Sequence, residues 1–167
     1  MTTLPSIWRT ELWHPMMVHF PIVLLLAAAV LHILLYFSNA ENTRLFKKMS
    51  SLSLYAGTIA LWLAIYTGIQ AGNIISQTIC DPSVLHEHRN AAYVLGYLFS
   101  VTSVVDAISL QAFDISERAK KYKGWLVTAL LVAGSFYMVY TAHLGASLVY
   151  QQSAGVYHPT EKCYEFK

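Results

Sequence analysis

Four long apolar stretches dominate the sequence, at about residues 14–37, 52–72, 90–112 and 125–150. A transmembrane helix needs about 20 mostly apolar residues to cross a hydrocarbon core of about 30 Å. Leu, Ile, Val and Ala recur in each stretch without the strict alternation that is typical of a barrel strand, so helices are favoured. The sequence therefore predicts an all-α fold, a four-helix transmembrane bundle.

The composition agrees with a lipid environment. Of the 167 residues, 56% are hydrophobic and only 12% are charged, whereas an ordinary soluble domain carries about 25% charged residues. The formal net charge of +2 provides no basic face that would displace phosphate counterions, which excludes a nucleic-acid binder. The sequence contains no nucleophile and base motif, no phosphate-binding glycine loop and no pair of carboxylates within one site. Nothing in it therefore indicates a stand-alone enzyme.

The distribution of basic residues predicts the orientation in the membrane. Because positively charged loops stay in the cytoplasm, the loops after the first and third spans are expected there. Both termini and residues 73–89 then face outward, from the inner (cytoplasmic) membrane of a bacterium, with residues 1–13 and 151–167 as outer tails around a transmembrane domain at 14–150. The basic residues concerned are Arg44, Lys47, Lys48, Arg118, Lys120, Lys121 and Lys123.

The two cysteines fall on the outer side of this topology. Cys80 lies in the outer loop and Cys163 in the outer tail, so both would share an oxidising compartment. Whether they form a disulfide bond is therefore an open question, because the sequence does not give the distance between the two residues.

Seven histidines are many for so apolar a chain, and six of them map to the outer half. By helix rise, His19 in the first span and His143 in the fourth lie at nearly the same depth. His14 and His88 form a shallower layer, at the mouths of the first and third spans. A histidine inside a membrane is costly and is by default a functional candidate. Several at matched depths on different helices indicate axial ligation of a haem, since imidazole binds iron well and a bundle can present two imidazoles face to face.

The depth argument ranks His19 and His143 first as the axial pair. His14 and His88 are the alternative pair, or the ligands of a second haem. No CxxCH motif is present, so the haem would be b-type rather than covalently attached. Zinc or copper bound by the same imidazoles, and histidines that only hydrogen-bond across the bundle, are the alternatives.

Two further features bear on a cofactor site. Gly68 belongs to a stripe of small residues on the second span, where a porphyrin or another helix could approach closely. Arg89 lies at the mouth of the third span, where a quinol head group or a carboxylate could bind. The stripe consists of Gly57, Ala64, Gly68 and Gly72.

Spacing along the helices makes two more predictions. His32 follows His14, and Asp106 follows His88, by eighteen residues, which is five helical turns and returns to the same face. The two polar side chains are therefore predicted to meet as a pair near the inner leaflet. Pro21 lacks an N–H group, so the first span is predicted to start late or to kink just after His19.

The histidine-bearing segments resemble a widespread bacterial family of uncharacterised four-helix membrane domains. The matching motifs are HPMMVHFP in the first span, TGIQAGN in the second, HRNAA in the third and HLGASLVY in the fourth, so the resemblance covers about residues 13–156. Members of that family occur alone or joined to Rieske iron–sulfur or c-type cytochrome modules, which implies a place in membrane electron transfer. The family pattern picks out His14, His19, Pro21, His88, Gly145 and Tyr150, and Ala146 stands where a second glycine is usual.

These observations together predict a membrane-embedded b-type cytochrome subunit. It would carry haem b near the outer face and pass electrons between the quinone pool and a separate cytochrome c or iron–sulfur protein, within a larger membrane complex in contact with lipid. The alternatives are a structural anchor subunit without redox chemistry and a membrane protein that handles copper or zinc.

Overall fold

The computed structural model describes residues 6, 8–111 and 116–156. Within these residues four helical segments are long and apolar enough to cross a membrane, at Thr10–Phe37, Ala40–Ile75, Pro82–Ile108 and Lys121–Tyr150. The predicted all-α fold with four such helices is confirmed; its direction in the membrane stays a prediction. The helices are α1 (Thr10–Met17), α2 (His19–Leu34) with a 3-10 turn at Leu35–Phe37, α3 (Ala40–Ile75), α4 (Pro82–Gln111) and α5 (Glu117–Tyr150).

Side-chain caps and a proline begin the three long helices. Asn39 Oδ1 accepts a hydrogen bond from the Asn42 N–H at 3.0 Å at the start of α3, and Ser116 caps α5.

Before α4, Asp81 accepts hydrogen bonds from the hydroxyl and the N–H group of Ser83, at 2.6 and 2.9 Å. These bonds hold the pKa of Asp81 below its ordinary value, the hydroxyl contributing most. Pro82 suits the first helical position because its missing N–H would have no partner there.

The first span is interrupted at Val18, between α1 and α2. Pro21 has no N–H to donate to the carbonyl of the residue four positions earlier, so the helical ladder loses a bond there. Neighbouring bonds persist, from Val18 N to His14 O at 3.1 Å and from Ile22 N to Val18 O at 3.3 Å. An interruption near Pro21 is therefore present, but it lies at Val18, before His19, whereas the sequence predicted it just after His19.

The helices form an up-and-down bundle in which α2 and α4 each pack against both α3 and α5, and α1 packs against α3. The fully buried side chains at the centre come from all four spans: Leu25, Leu54, Phe99 and Leu131. The outward faces carry large apolar residues such as Val23, Val101 and Phe136, each more than half exposed. Such a surface is expected to face lipid, since soluble proteins rarely expose apolar patches of this extent.

The N-terminal segment, the α3–α4 loop and the C-terminal segment meet at one end of the bundle, called here the terminal end. Arg9 Nη2 donates to the carbonyl of Gly155 at 3.3 Å, and the N–H of Asp81 donates to Gln152 Oε1 at 3.1 Å. The other end carries the α2–α3 connection around Asn39.

Replacing Gly134 by alanine is expected to destabilise the bundle. The added methyl group would lie 2.7 Å from Cζ of the fully buried Phe99, so the ring must shift in a packed core, at a cost of about 1–3 kcal/mol. Unfolding in mixed detergent micelles measures this change in free energy. Gly124→Ala is the control because its methyl group would meet nothing closer than Tyr36 Oη at 3.7 Å. Equal stability of the two variants would contradict the expectation.

Candidate functional site

A cavity of about 510 Å³ opens between α1, α3, α4 and α5 at the terminal end. Its volume falls in the range of about 300–1,000 Å³ that is typical of ligand sites in proteins. The lining is mostly aliphatic, and its polar side chains include Glu11, His14, His88 and Arg89, together with His19, Thr141 and Tyr150. An apolar cavity with a few convergent polar groups is the default candidate for a binding site.

His14 is held in the cavity wall by α3. Its Nδ1 lies 2.9 Å from the carbonyl oxygen of Ala64. One turn further along α3 stands Gly68, where a Cβ atom would come within 2.9 Å of His14 Cε1. Because a carbonyl only accepts hydrogen bonds, this contact places the proton on Nδ1 and leaves Nε2 with a free lone pair in the neutral ring.

His88 is held by α5 in the same manner. Its Nδ1 lies 3.1 Å from the carbonyl oxygen of Thr141. Gly145, again four residues later, has space only because it lacks a side chain, since its Cβ would lie 3.1 Å from His88 Cε1. Each ring therefore rests on a glycine and binds the backbone carbonyl four residues before that glycine.

The two imidazoles lie side by side in the cavity. Their ring centroids are 6.1 Å apart and their planes are inclined by 73°. Within the described residues neither Nε2 atom has a hydrogen-bond partner. Two imidazoles on opposite sides of one metal ion, each with a metal–nitrogen bond of about 2.0–2.1 Å and a ring radius of about 1.1 Å, have centroids about 6.3 Å apart. The observed spacing of the ring centroids is close to this value, and the two rings meet edge to face.

The described residues bring two imidazoles together at this site. In the described part of the chain no group of three or more His, Cys, Asp or Glu side chains could hold a metal ion. A structural zinc site needs four protein ligands and a catalytic one needs three. A haem iron needs only axial ligands from the protein, because the macrocycle supplies its other four nitrogens.

The other predicted ligand pair is not assembled in this way. His19 contributes to the cavity lining but is exposed, and His143 is exposed and outside the lining. No ring contact joins the two among the described residues. His143 lies two residues from the buried Thr141, which on a helix places it on nearly the opposite face. The structure brings His14 and His88 together, whereas His19 and His143 lie apart, and the ligand role of all four stays a prediction.

Arg89 lies half-buried at the mouth of the cavity. It packs against Gly72 of α3, where a Cβ atom would come within 2.9 Å of its Nη2. Glu11 also lines the mouth, but its carboxylate lies 3.4 Å from the guanidinium of Arg9. Three members of the predicted stripe, Ala64, Gly68 and Gly72, therefore face cavity side chains.

The prediction that His32 and Asp106 meet is confirmed in part: the two groups interact electrostatically, but no hydrogen bond or ion pair joins them among the described residues. Both side chains are buried in the half of the bundle away from the cavity. Asp106 Oδ2 accepts a hydrogen bond from Tyr55 Oη at 2.7 Å, whereas His32 Nδ1 is buried without a hydrogen-bond partner. The hydrogen bond to the Asp106 carboxylate thus comes from Tyr55 on α3 and not from the His32 imidazole on α2.

Replacing Tyr55 by phenylalanine is expected to destabilise the protein by about 1–3 kcal/mol, because the buried Asp106 carboxylate would lose its hydrogen-bond donor. The unfolding free energy in mixed micelles measures the loss. Tyr66→Phe is the matched control, since Tyr66 also lies on α3 but is exposed. A loss for Tyr55→Phe no larger than for the control would show that the hydrogen bond has no net effect on stability.

The remaining outer histidines and the two cysteines do not belong to this site. His86 is exposed, and its Nδ1 lies 3.1 Å from Nδ2 of Asn90. Cys80 is exposed and forms no disulfide bond within the described residues. Cys163 and His158 lie outside those residues, so the disulfide bond between Cys80 and Cys163 stays a prediction.

Sequence reasoning missed the backbone partners of the histidines. The carbonyls of Ala64 and Thr141 carry no side-chain signature of their own. The signal that marks them is a shared spacing, a small or polar residue four positions before a glycine: AIYTG at Ala64–Gly68 and TAHLG at Thr141–Gly145.

Comparison with known proteins shows the family. A family model described as "predicted membrane protein (DUF2231)" matches residues 12–158, which is most of the chain. No curated protein and no solved structure matches the chain. The chain therefore belongs to this family of membrane proteins.

Proposed function

We propose that this member of the family is a membrane-embedded b-type cytochrome subunit that holds one haem between His14 and His88. The observation that carries the proposal is the pair of imidazoles 6.1 Å apart, each fixed through Nδ1 to a backbone carbonyl. The haem supplies one-electron redox chemistry at its iron.

The hydrogen bonds on Nδ1 support the role of axial ligand. Metal-ligating histidines almost always donate their other N–H to a carbonyl or carboxylate, which fixes the tautomer and the ring orientation and raises ligand basicity. Ala64 and Thr141 give this support from α3 and α5, two rigid elements of the bundle. Both rings are therefore held in place without any bound metal, so little ordering of side chains is required on binding.

The walls of the cavity support an apolar macrocycle. Aliphatic side chains on three helices, among them Ile65, Leu95 and Met138, line the space next to the imidazoles. An apolar surround limits the access of water and is one of the means by which a protein sets a haem potential. A bare divalent cation would gain nothing from these walls.

The place of the protein in electron transfer follows from the predicted topology. With the termini outside, the cavity lies at the outer face of a bacterial inner membrane, where a cytochrome c or an iron–sulfur protein could dock. The quinone pool in the surrounding lipid would supply or accept electrons, and the exposed apolar faces leave room for further subunits of a larger complex.

Metal and porphyrin analysis of the purified protein tests the proposal. It predicts one iron and one protoporphyrin for each chain after expression with adequate haem supply. The alternative of a structural anchor subunit predicts no stoichiometric metal, and the alternative of a metal-handling protein predicts copper or zinc without porphyrin. Failure of the purified protein to take up haem in a titration would overturn the proposal.

A further inference from the structure

Arg89 is a cation in an apolar cavity without a counter-ion from the described chain. It is half-buried, and neither an ion pair nor a hydrogen bond to its guanidinium occurs among residues 6, 8–111 and 116–156. Glu11, a carboxylate that lines the same cavity, is paired with Arg9 at 3.4 Å. A partly desolvated charge is costly unless a partner of opposite sign compensates it.

The packing around Arg89 holds the guanidinium at the mouth. A Cβ atom added at Gly72 would lie only 2.9 Å from Arg89 Nη2, so a side chain at residue 72 would displace the guanidinium. Leu85, one turn earlier on α4, flanks Gly72 as well. Gly72 thus does for Arg89 what Gly68 does for His14: it makes room for a polar group on the cavity side of α3.

The charges at the mouth favour an anionic group on the ligand. Within the described ranges, Arg9, Glu11 and Arg89 together leave one positive charge uncompensated, next to a lining that is mostly apolar. Guanidinium binds carboxylates through two parallel hydrogen bonds, and such bonds are stronger than neutral ones where water is limited.

We infer that Arg89 binds a carboxylate of the ligand and that the cavity therefore selects an apolar body with an acidic edge. The inference rests on the proposed function, in which that body is haem and the carboxylate is a propionate. Arg89 would then hold the acidic edge of the ligand at the terminal end, while His14 and His88 would bind its iron.

A titration with two porphyrins tests this role separately from haem binding itself. The full chain without haem, in a nonionic detergent, is titrated with iron protoporphyrin IX and with its dimethyl ester, which keeps the macrocycle and the iron but lacks both carboxylates. We expect the wild-type protein to bind the free acid at least about tenfold more tightly, as is typical of a hydrogen-bonded charge pair. Arg89→Gln should abolish this preference by weakening binding of the acid while leaving binding of the ester nearly unchanged.

Two further variants complete the test. Gly72→Leu should reduce the preference for the acid in the same way, because it displaces the guanidinium without removing it. Arg118→Gln is the control, since Arg118 is exposed at the opposite end of the bundle, and it should leave the preference intact. Equal binding of acid and ester by the wild-type protein, or an unchanged preference in Arg89→Gln, would overturn the role of Arg89 alone. Binding of neither porphyrin by the wild-type protein would overturn the haem proposal and this inference with it.

Discussion

His14→Ala and His88→Ala are each expected to lower the affinity for haem by at least about 100-fold and to abolish the absorption spectrum of a six-coordinate haem. Loss of a hydrogen-bonded partner of a metal ligand already costs about 10–100-fold in affinity, and loss of the ligand itself costs no less. The remaining imidazole would leave the iron five-coordinate. Titration of each purified variant with haem, followed by absorption of the oxidised and reduced forms, measures both effects.

The controls for these variants come from the other two histidines. His143→Ala removes an exposed imidazole outside the cavity, and His19→Ala removes an exposed one at its edge. Both should keep the six-coordinate spectrum, with affinities within about twofold of the wild-type value. A reversed result, with loss in His19→Ala and His143→Ala but not in His14→Ala and His88→Ala, would show that the depth argument from the sequence chose the right pair.

Gly68→Leu is expected to weaken haem binding by at least about 100-fold without removing a ligand. Even a methyl group at this position would lie 2.9 Å from His14 Cε1, and a leucine side chain occupies the place of the imidazole ring itself. The displaced ring would lose its hydrogen bond to Ala64 and its alignment with His88. We therefore expect the haem affinity of Gly68→Leu to fall as far as that of His14→Ala.

Gly124→Leu is the matched control for this variant, because a Cβ atom there meets only Tyr36 Oη at 3.7 Å. It should fold and bind haem like the wild-type protein. Circular dichroism of all the variants separates a local effect from loss of the helical fold. A wild-type spectrum and affinity in a folded Gly68→Leu protein would contradict the account of how His14 is held.

Much of the fold follows from the sequence because each span is apolar over its whole length. The four helices and their antiparallel order need only hydropathy and length. The ends of the helices were harder to predict from the sequence. The helix α3 begins at Ala40, well before the predicted apolar span, because the Asn39 cap and not hydropathy determines where it starts.

The choice between the histidine pairs could not be made from depth alone. His14 and His19 lie on either side of the break at Val18, so projection on one straight helix does not give their relative directions. The partners of His14 and His88 are main-chain carbonyls, which no pattern of side chains encodes directly. His32 and Asp106 do come close enough to interact, as predicted, but Tyr55 from a third helix makes the hydrogen bond to the carboxylate.

The stripe of small residues on α3 serves two purposes, of which helix packing is only one. Gly57 does serve packing, since its Cβ would lie 2.8 Å from the side chain of the core residue Leu25. Gly68 and Gly72, further along the same face, make room for His14 and Arg89 instead. One stripe on α3 thus changes from core packing to cavity wall as it approaches the terminal end.

Electron paramagnetic resonance of the oxidised, haem-loaded protein tests the central claim most directly. The planes of His14 and His88 are inclined by 73°, and a ferric haem between imidazole planes close to perpendicular gives a highly anisotropic low-spin signal. The account predicts this signal in the wild-type protein and its replacement by a high-spin signal in His14→Ala and in His88→Ala. A wild-type protein that gives only a high-spin signal, or a low-spin signal that survives both substitutions, would contradict it.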